Sequence, residues 1–249
     1  MASGKKGKTL LIIAAAAILA VGATLLAVFG LGWGRRTAGV EGVTGEERLR
    51  SVGRLGTLKP TESAKALAAA TEDADPAVRQ AALVNLARSP TADAREAIDR
   101  GTRDPSAKVR AAAASTLGRY LDEAAADRLG EMILRDPAPE VRIGAALGLG
   151  RHPSPKALVG LMEAAERDAS LDVMTAALTQ IYFKLGMRYT GMRGQTGDEA
   201  VKTIRRIVEN LKDDVNVEAA YRKAGRPVVR NPAYYVPPLG EPDPRDRRR

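Results

Sequence analysis

Residues 104–119 read Asp-Pro-Ser-Ala-Lys-Val-Arg-Ala-Ala-Ala-Ala-Ser-Thr-Leu-Gly-Arg, and residues 136–151 repeat the pattern as Asp-Pro-Ala-Pro-Glu-Val-Arg-Ile-Gly-Ala-Ala-Leu-Gly-Leu-Gly-Arg. An earlier copy begins at Asp73. A diverged fourth copy begins at Asp168 and has Met174 in place of the arginine. A period of 31 or 32 residues is typical of stacked helical pairs, in which each repeat buries its apolar side on the next. The chain is therefore predicted to be all-α, with a short α-solenoid at its centre.

Each repeat is predicted to contain two helices, of which the second carries Val-Arg and the Ala-rich run. Its Asp-Pro pair is expected to start this second helix, because Asp caps free N–H groups and Pro is tolerated in a first turn. Residues 46–58 resemble a lone second helix and are predicted to cap the N-terminal end of the stack. Gly118 and Gly150 are expected either to end their helices or to allow close approach. The first helices are predicted at roughly 61–72, 91–102, 122–135 and 154–167.

The pattern Asp-Pro-x-x-x-Val-Arg-x-x-Ala-Ala-x-x-Leu-Gly resembles the short HEAT-like repeat, of the subtype also found in phycobilisome-lyase proteins. The resemblance covers residues 73–183. It implies a solenoid of helical hairpins. The resemblance gives little information about activity, because this repeat class occurs in scaffolds, adaptors, lyases and some DNA-repair glycosylases.

One arginine occupies the same site in successive repeats, and the helix packing distance predicts a row with about 8–10 Å between neighbours. The candidate row consists of Arg79, Arg110 and Arg142. In one interpretation, also implied by the resemblance, each arginine pairs with a nearby aspartate and the resulting ladder sets the angle between repeats. The candidate partners are Asp73, Asp104 and Asp136, in the same or the neighbouring repeat. In the other interpretation the row binds anions, since Arg presents two parallel donors to carboxylate or phosphate.

Residues 10–33 are uncharged and predict a transmembrane helix that acts as an uncleaved signal anchor. About 20 apolar residues cross the hydrocarbon layer, whereas the apolar part of a cleaved signal is typically only about 7–15 residues long. A cleaved signal and a buried soluble helix are the alternatives. Residues 1–9 form a basic tail with three lysines, which favours a cytoplasmic N-terminus and an extracytoplasmic repeat domain. Arg35, Arg36 and Arg48 oppose this orientation.

The rest of the chain divides by composition. Residues 34–45 are predicted as a linker, 46–185 as the solenoid, 186–197 as a glycine-rich loop and 198–224 as a C-terminal capping helical region. Residues 225–249, rich in Pro and Arg, are predicted to be a disordered tail. Within this tail, residues 234–238 are interpreted either as a linear recognition segment or as a stretch whose tyrosines lie against the last repeat.

Composition argues against catalysis. The chain has no Cys and one His, and the inner helices offer mostly Ala, Val and Leu, so no catalytic, metal or cofactor-binding residues are assigned. His152 is expected to be an ordinary surface residue in a turn. The net charge of +9 lies mostly at the two ends, and a nucleic-acid-binding body would carry its charge on the folded surface.

These observations predict a membrane-anchored scaffold or adaptor, not an enzyme, that binds another protein through the solenoid groove. The membrane is contacted through residues 10–33, and a nucleic-acid partner is disfavoured. One alternative is a lyase-like or ligand-binding protein that acts on a tetrapyrrole-type ligand. A second is nucleic-acid or anion binding through the arginine row. The partner and the oligomeric state are left open.

Overall fold

The computed structural model describes residues 40, 42–89, 91–188, 197–231 and 233–234. In these ranges it contains helices and no strands, which confirms the all-α prediction for this part of the chain. The predicted basic tail 1–9 and membrane segment 10–33 lie outside the described residues, as does most of the linker 34–45 and of the glycine-rich loop 186–197. None of the helices in the described ranges combines the length and the apolar character that a bilayer crossing requires.

Eleven helices follow one another in the described ranges, separated by short turns everywhere except before the tenth. They are α1 Gly45–Thr57, α2 Pro60–Ala70, α3 Pro76–Leu86, α4 Ala92–Gly101, α5 Ala107–Leu117, α6 Glu123–Arg135, α7 Pro139–Arg151, α8 Pro155–Arg167, α9 Leu171–Lys184, α10 Gly197–Leu211 and α11 Val215–Lys223.

The helices from α2 to α9 form four consecutive hairpins, each packed on the next. The second helices of these hairpins, α3, α5, α7 and α9, stack side by side, and α1 precedes them in the same row. The first helices, α2, α4, α6 and α8, form the other row. This arrangement is an α-solenoid, in which every repeat contacts mainly its neighbours.

The aspartate that opens each repeat does not cap the second helix directly. The N-cap of α5 is Ser106 and that of α7 is Ala138, each two residues after the predicted aspartate. Asp104 instead accepts a hydrogen bond from the Ser106 N–H at 2.8 Å, in a turn that precedes the helix. The predicted helix starts are therefore wrong by two to three residues, because the carboxylate closes this turn and leaves the helix to begin after it.

The second-helix row is packed backbone to backbone. A Cβ atom added at Gly118 would lie 2.3 Å from the Cα atom of Gly148, and one at Gly148 would lie 2.6 Å from the Ala114 carbonyl oxygen. The second helices α5 and α7 therefore approach one another closely. Larger apolar side chains of the first helices, such as Leu129, Met132 and Leu161, are buried in the core.

The C-terminal end of the stack is covered by two helices. Helix α10 packs on α8 and α9, whereas α11 packs on α8. Ile204, Val208 and Val217, on these two helices, are fully buried. The region predicted as a capping segment thus lies where the last hairpin would otherwise expose its apolar side.

The segment after α11 differs from the disordered tail predicted from residue 225. The Lys212 ammonium donates to the Val229 carbonyl at 2.7 Å, Arg226 donates to the Glu163 carboxylate at 3.1 Å, and Val228 packs against the core. We call residues 226–231 the strap. Its composition predicts disorder, because local composition does not reveal the charged partners on distant helices that hold the strap. Residues 235–249 of the predicted tail lie outside the described residues.

Candidate interaction surface

The arginine row lies between repeats and not on an open surface. Arg79 pairs with Asp104, with both side chains at least 87% buried and Nε donating to the carboxylate at 2.8 Å. Arg110 pairs with Asp136 at 2.9 Å. Each arginine therefore bonds the aspartate of the following repeat, one of the two arrangements left open by the sequence.

Two more pairs extend this row, which we call the ladder. The last predicted arginine, Arg142, pairs with Asp168 at 2.7 Å, and the first predicted aspartate, Asp73, accepts from Arg48 at 2.8 Å. Sequence reasoning missed Arg48 and Asp168 as members. The signal for Arg48 was present, because it precedes Arg79 by one period of 31 residues. Met174 takes the arginine position in the last repeat, where the ladder ends.

The ladder arginines use most of their guanidinium hydrogen-bond donors on acceptors within the protein. Arg79 uses Nε and Nη2 on the Asp104 carboxylate, while Nη1 donates to the Asp73 and Ala74 carbonyls at 2.9 and 3.1 Å. Arg110 and Arg142 repeat this arrangement. Four of five guanidinium donors are thus satisfied, which leaves little capacity for an external phosphate.

Hydrogen bonds also determine the ionisation of the ladder. Burial alone raises the pKa of Asp104, but the Arg79 guanidinium and the Ser106 N–H lower it more, so the pKa lies below its ordinary value of 3.8. The same balance, with Arg110 and the Ala138 N–H as donors, lowers the pKa of Asp136. Hydrogen bonding to Asp104 raises the pKa of Arg79. Both partners therefore stay charged at neutral pH.

The second helices also have a side that is exposed to solvent, and we call this side the inner face. It is formed by residues one and five positions after each ladder arginine. Val84 and Leu147, both five positions after, are exposed to 54% and 36%. Ala111, Ser115 and Ile143 are half-buried between them. The middle of the inner face is therefore small and apolar, without the titratable groups that catalysis would require.

A second set of arginines lies along one border of the inner face. In the sequence, each follows a ladder arginine by nine positions. We call Arg88, Arg119 and Arg151 the arginine edge; all three are exposed. Arg88 donates to the Gly56 carbonyl, and Arg151 to the Ser115 carbonyl at 3.2 Å. Arg119 has no side-chain hydrogen bond to any residue in the described part of the chain. None of the three pairs with a carboxylate among the described residues, in contrast to the ladder.

Beside Arg151 the arginine edge opens into a pocket of about 590 Å³, which we call the cationic pocket. Phe183 and Leu158 contribute apolar surface, and Lys184 and Lys223 contribute charge. None of its described lining residues is an aspartate or a glutamate. Burial lowers the pKa of Lys184, whose ammonium hydrogen-bonds the His152 carbonyl. The pocket thus combines apolar surface with unpaired positive charge.

His152, expected on the surface, is fully buried in the wall of this pocket. Its Nδ1 accepts from the Ser154 N–H at 3.1 Å, so Nε2 carries the hydrogen and donates to the Asp122 carbonyl at 3.0 Å. The surface prediction is wrong because the turn between α7 and α8 folds back on the start of α6. Both ring nitrogens are occupied, which makes His152 a structural residue.

The strap end of the molecule holds a second group of buried charges. Lys212, only 1% exposed, donates to Glu209 at 2.8 Å and to Glu166 at 3.1 Å. Burial, followed by the charges of Glu163 and Glu166, raises the pKa of Tyr221 to about 12. These groups face one another and hold the strap. Among the described residues, no group of three or more His, Cys, Asp or Glu side chains is placed to hold a metal ion.

Sequence comparison agrees with this geometry. Residues 94–181, from α4 to α9, match the family of HEAT repeats. A search of curated proteins gave no match. HEAT repeats are commonly protein-interaction scaffolds. The matched segment contains the closely packed second helices and most of the inner face, so this part of the chain is similar to HEAT repeats.

Proposed function

We propose that this protein is a membrane-anchored scaffold that binds a partner protein through the inner face. The observation that supports it best is the exposure of Val84 and Leu147 in the middle of the row of second helices. Apolar side chains at the centre of such a surface gain free energy when a partner covers them. The arginines that would otherwise compete as a binding site are already occupied in the ladder.

Anchoring through residues 10–33 is the second part of the proposal. These 24 residues carry no charge, and Trp33 is followed closely by Arg35 and Arg36, a pattern typical of an interfacial helix end. The lysines of residues 1–9 favour an extracytoplasmic repeat domain. Protease access to the repeat domain in sealed vesicles, before and after lysis, tests the orientation.

We infer a binding role and no catalytic one. A lyase-like reaction on a tetrapyrrole-type ligand gains no support from the cationic pocket, which lacks a carboxylate for proton transfer. Nucleic-acid binding through the predicted arginine row gains none either, because those arginines donate to the aspartates of neighbouring repeats.

Site-specific photocrosslinking in native membranes tests the scaffold proposal. A photoreactive amino acid at position 84 or 147 is expected to give a discrete crosslinked band containing a partner. The matched control is position 134, where Leu134 is 45% exposed on α6 in the other row. Equal crosslinking from position 134, or no band from the inner face, would contradict the proposal.

A further inference from the structure

The partner's chemistry is indicated by what lies next to the apolar middle of the inner face. On one side is the arginine edge, whose three guanidinium groups recur at intervals of 31 and 32 residues and are not matched by described carboxylates. On the other side, near the starts of the second helices, lie Lys108, Glu140 and Asp172, whose charges differ in sign. The face is therefore asymmetric, with unbalanced positive charge along one border only.

The cationic pocket continues this border. Arg151 belongs to both features, and Lys184 and Lys223 add two cations at the end of the row. Phe183, which is 72% exposed, occupies the position in α9 that is equivalent to the edge arginines. A ligand that follows the edge would thus meet three cations and then an apolar surface with two more.

From these features we propose that the arginine edge and the cationic pocket bind an acidic, extended segment of the partner protein, with an apolar side chain seated against Phe183 and Leu158. The proposal rests on the scaffold function above and specifies its partner. Two helix spacings of about 8–10 Å separate Arg88 from Arg151. With the pocket, the path accommodates roughly eight to ten extended residues at about 3.3 Å each.

An acidic polypeptide fits this surface better than a nucleic acid does. A polyphosphate backbone would place charge along the whole face, including the apolar middle and the border with Glu140 and Asp172. Residues 34–220 carry a net charge of only +1, and α11 and the strap raise it to +5 at residue 231, so the positive charge is concentrated at the pocket end and is not spread over the repeats. Carboxylates placed among apolar side chains match the edge and the middle together.

Fluorescence anisotropy with the full-length protein in detergent tests the proposal. The probe is a fluorescein-labelled peptide of about twelve residues that alternates Glu and Leu, and its reference has Gln in place of every Glu. We expect the Glu peptide to bind at micromolar concentration and the Gln peptide about tenfold more weakly. The triple variant Arg88→Gln/Arg119→Gln/Arg151→Gln should lose about tenfold in affinity for the Glu peptide, as should Lys184→Gln/Lys223→Gln.

The matched control removes the same charge from elsewhere, by Lys65→Gln/Arg103→Gln/Arg135→Gln on the side of the first-helix row. It should change affinity by less than about twofold. Arg119→Gln alone guards against misfolding, because the Arg119 side chain has no hydrogen bond to a described residue, and thermal unfolding checks each variant. Equal affinity for both peptides, an equal loss in the control, or no binding of the Glu peptide at millimolar concentration would overturn the proposal.

A fluorescein-labelled twelve-nucleotide single strand provides the competing outcome. If it binds more tightly than the Glu peptide and the edge variant weakens it, the surface is a phosphate site and the acidic-peptide proposal fails. Failure of the peptide together with retained crosslinking from positions 84 and 147 would reject only the acidic partner class. Failure of both would reject the scaffold function as well.

Discussion

At the residue scale, the ladder contributes to stability mainly through the cost of breaking it. A buried ion pair gains little over a well-packed apolar pair, but losing one partner leaves an uncompensated charge. Arg79 and Asp104 are 13% and 10% exposed, so neither can recover full hydration if the other is removed. The ladder therefore favours one relative position of neighbouring repeats over others.

The substitution Asp104→Asn should lower the free energy of unfolding by about 2–4 kcal/mol, because Arg79 loses its anionic partner while it stays buried. Chemical denaturation measures this difference. Glu218→Gln serves as the control, since its pair with Arg222 is 57–77% exposed and should contribute less than about 1 kcal/mol. Equal effects of the two substitutions would show that the ladder pair behaves as a surface pair.

The ladder should also make stability depend on pH in the acid range. The folded pKa of Asp104 lies below its ordinary value of 3.8, so the stabilisation is complete above that value and is lost as pH falls through the folded pKa. The difference in unfolding free energy between wild type and Asp104→Asn should be constant from pH 7 to about 5 and shrink below about pH 4. A difference that persists unchanged at pH 3 would contradict this assignment.

At the scale of elements, the spacing of the inner face depends on how closely the second helices approach. Gly118 and Gly148 let α5 and α7 meet without intervening side chains. A wider second-helix row would change the spacing of the inner face and of the arginine edge. The contact distance between the second helices therefore sets the geometry of the proposed binding surface.

Replacing Gly148 with Ala should destabilise the protein by about 1–3 kcal/mol, because the new Cβ atom would lie 2.6 Å from the Ala114 carbonyl oxygen. Gly130→Ala on α6 is the matched control. A Cβ atom there meets nothing within 4 Å, so the higher helix propensity of Ala should stabilise the protein by up to about 1 kcal/mol. Thermal and chemical unfolding would distinguish the two signs, and destabilisation by both substitutions would argue against close packing as the cause.

At the scale of the whole molecule, the stack is closed at its C-terminal end by α10, α11 and the strap. The strap is held by Lys212, by Arg226 on Glu163 and by Arg230, whose guanidinium lies 2.6 Å from Asp213. In a solenoid, such end contacts stabilise the terminal repeats locally and reach distant repeats only weakly.

A chain that ends at Gly225 should therefore show faster amide hydrogen exchange in α10 and α11, with little change in α3. The strap's hydrogen bonds are lost in this variant, and Lys212 is left with fewer acceptors in a buried site. A chain that ends at Tyr234 is the control, because it retains residues 226–231 and should exchange like wild type. Faster exchange throughout the stack would indicate that the strap supports the whole fold.

The amino-acid sequence by itself determined the repeat period, the helical pairs and the position of the ladder arginines. Local patterns carry this information, because helix spacing and the 31- to 32-residue period act over neighbouring residues. Only tertiary structure decided which aspartate each arginine bonds, that His152 is buried, and that residues 226–231 lie on α8 and α10. These outcomes depend on groups 17 to 63 residues apart that meet only after the helices have stacked, as Lys212 meets Val229 and Arg226 meets Glu163.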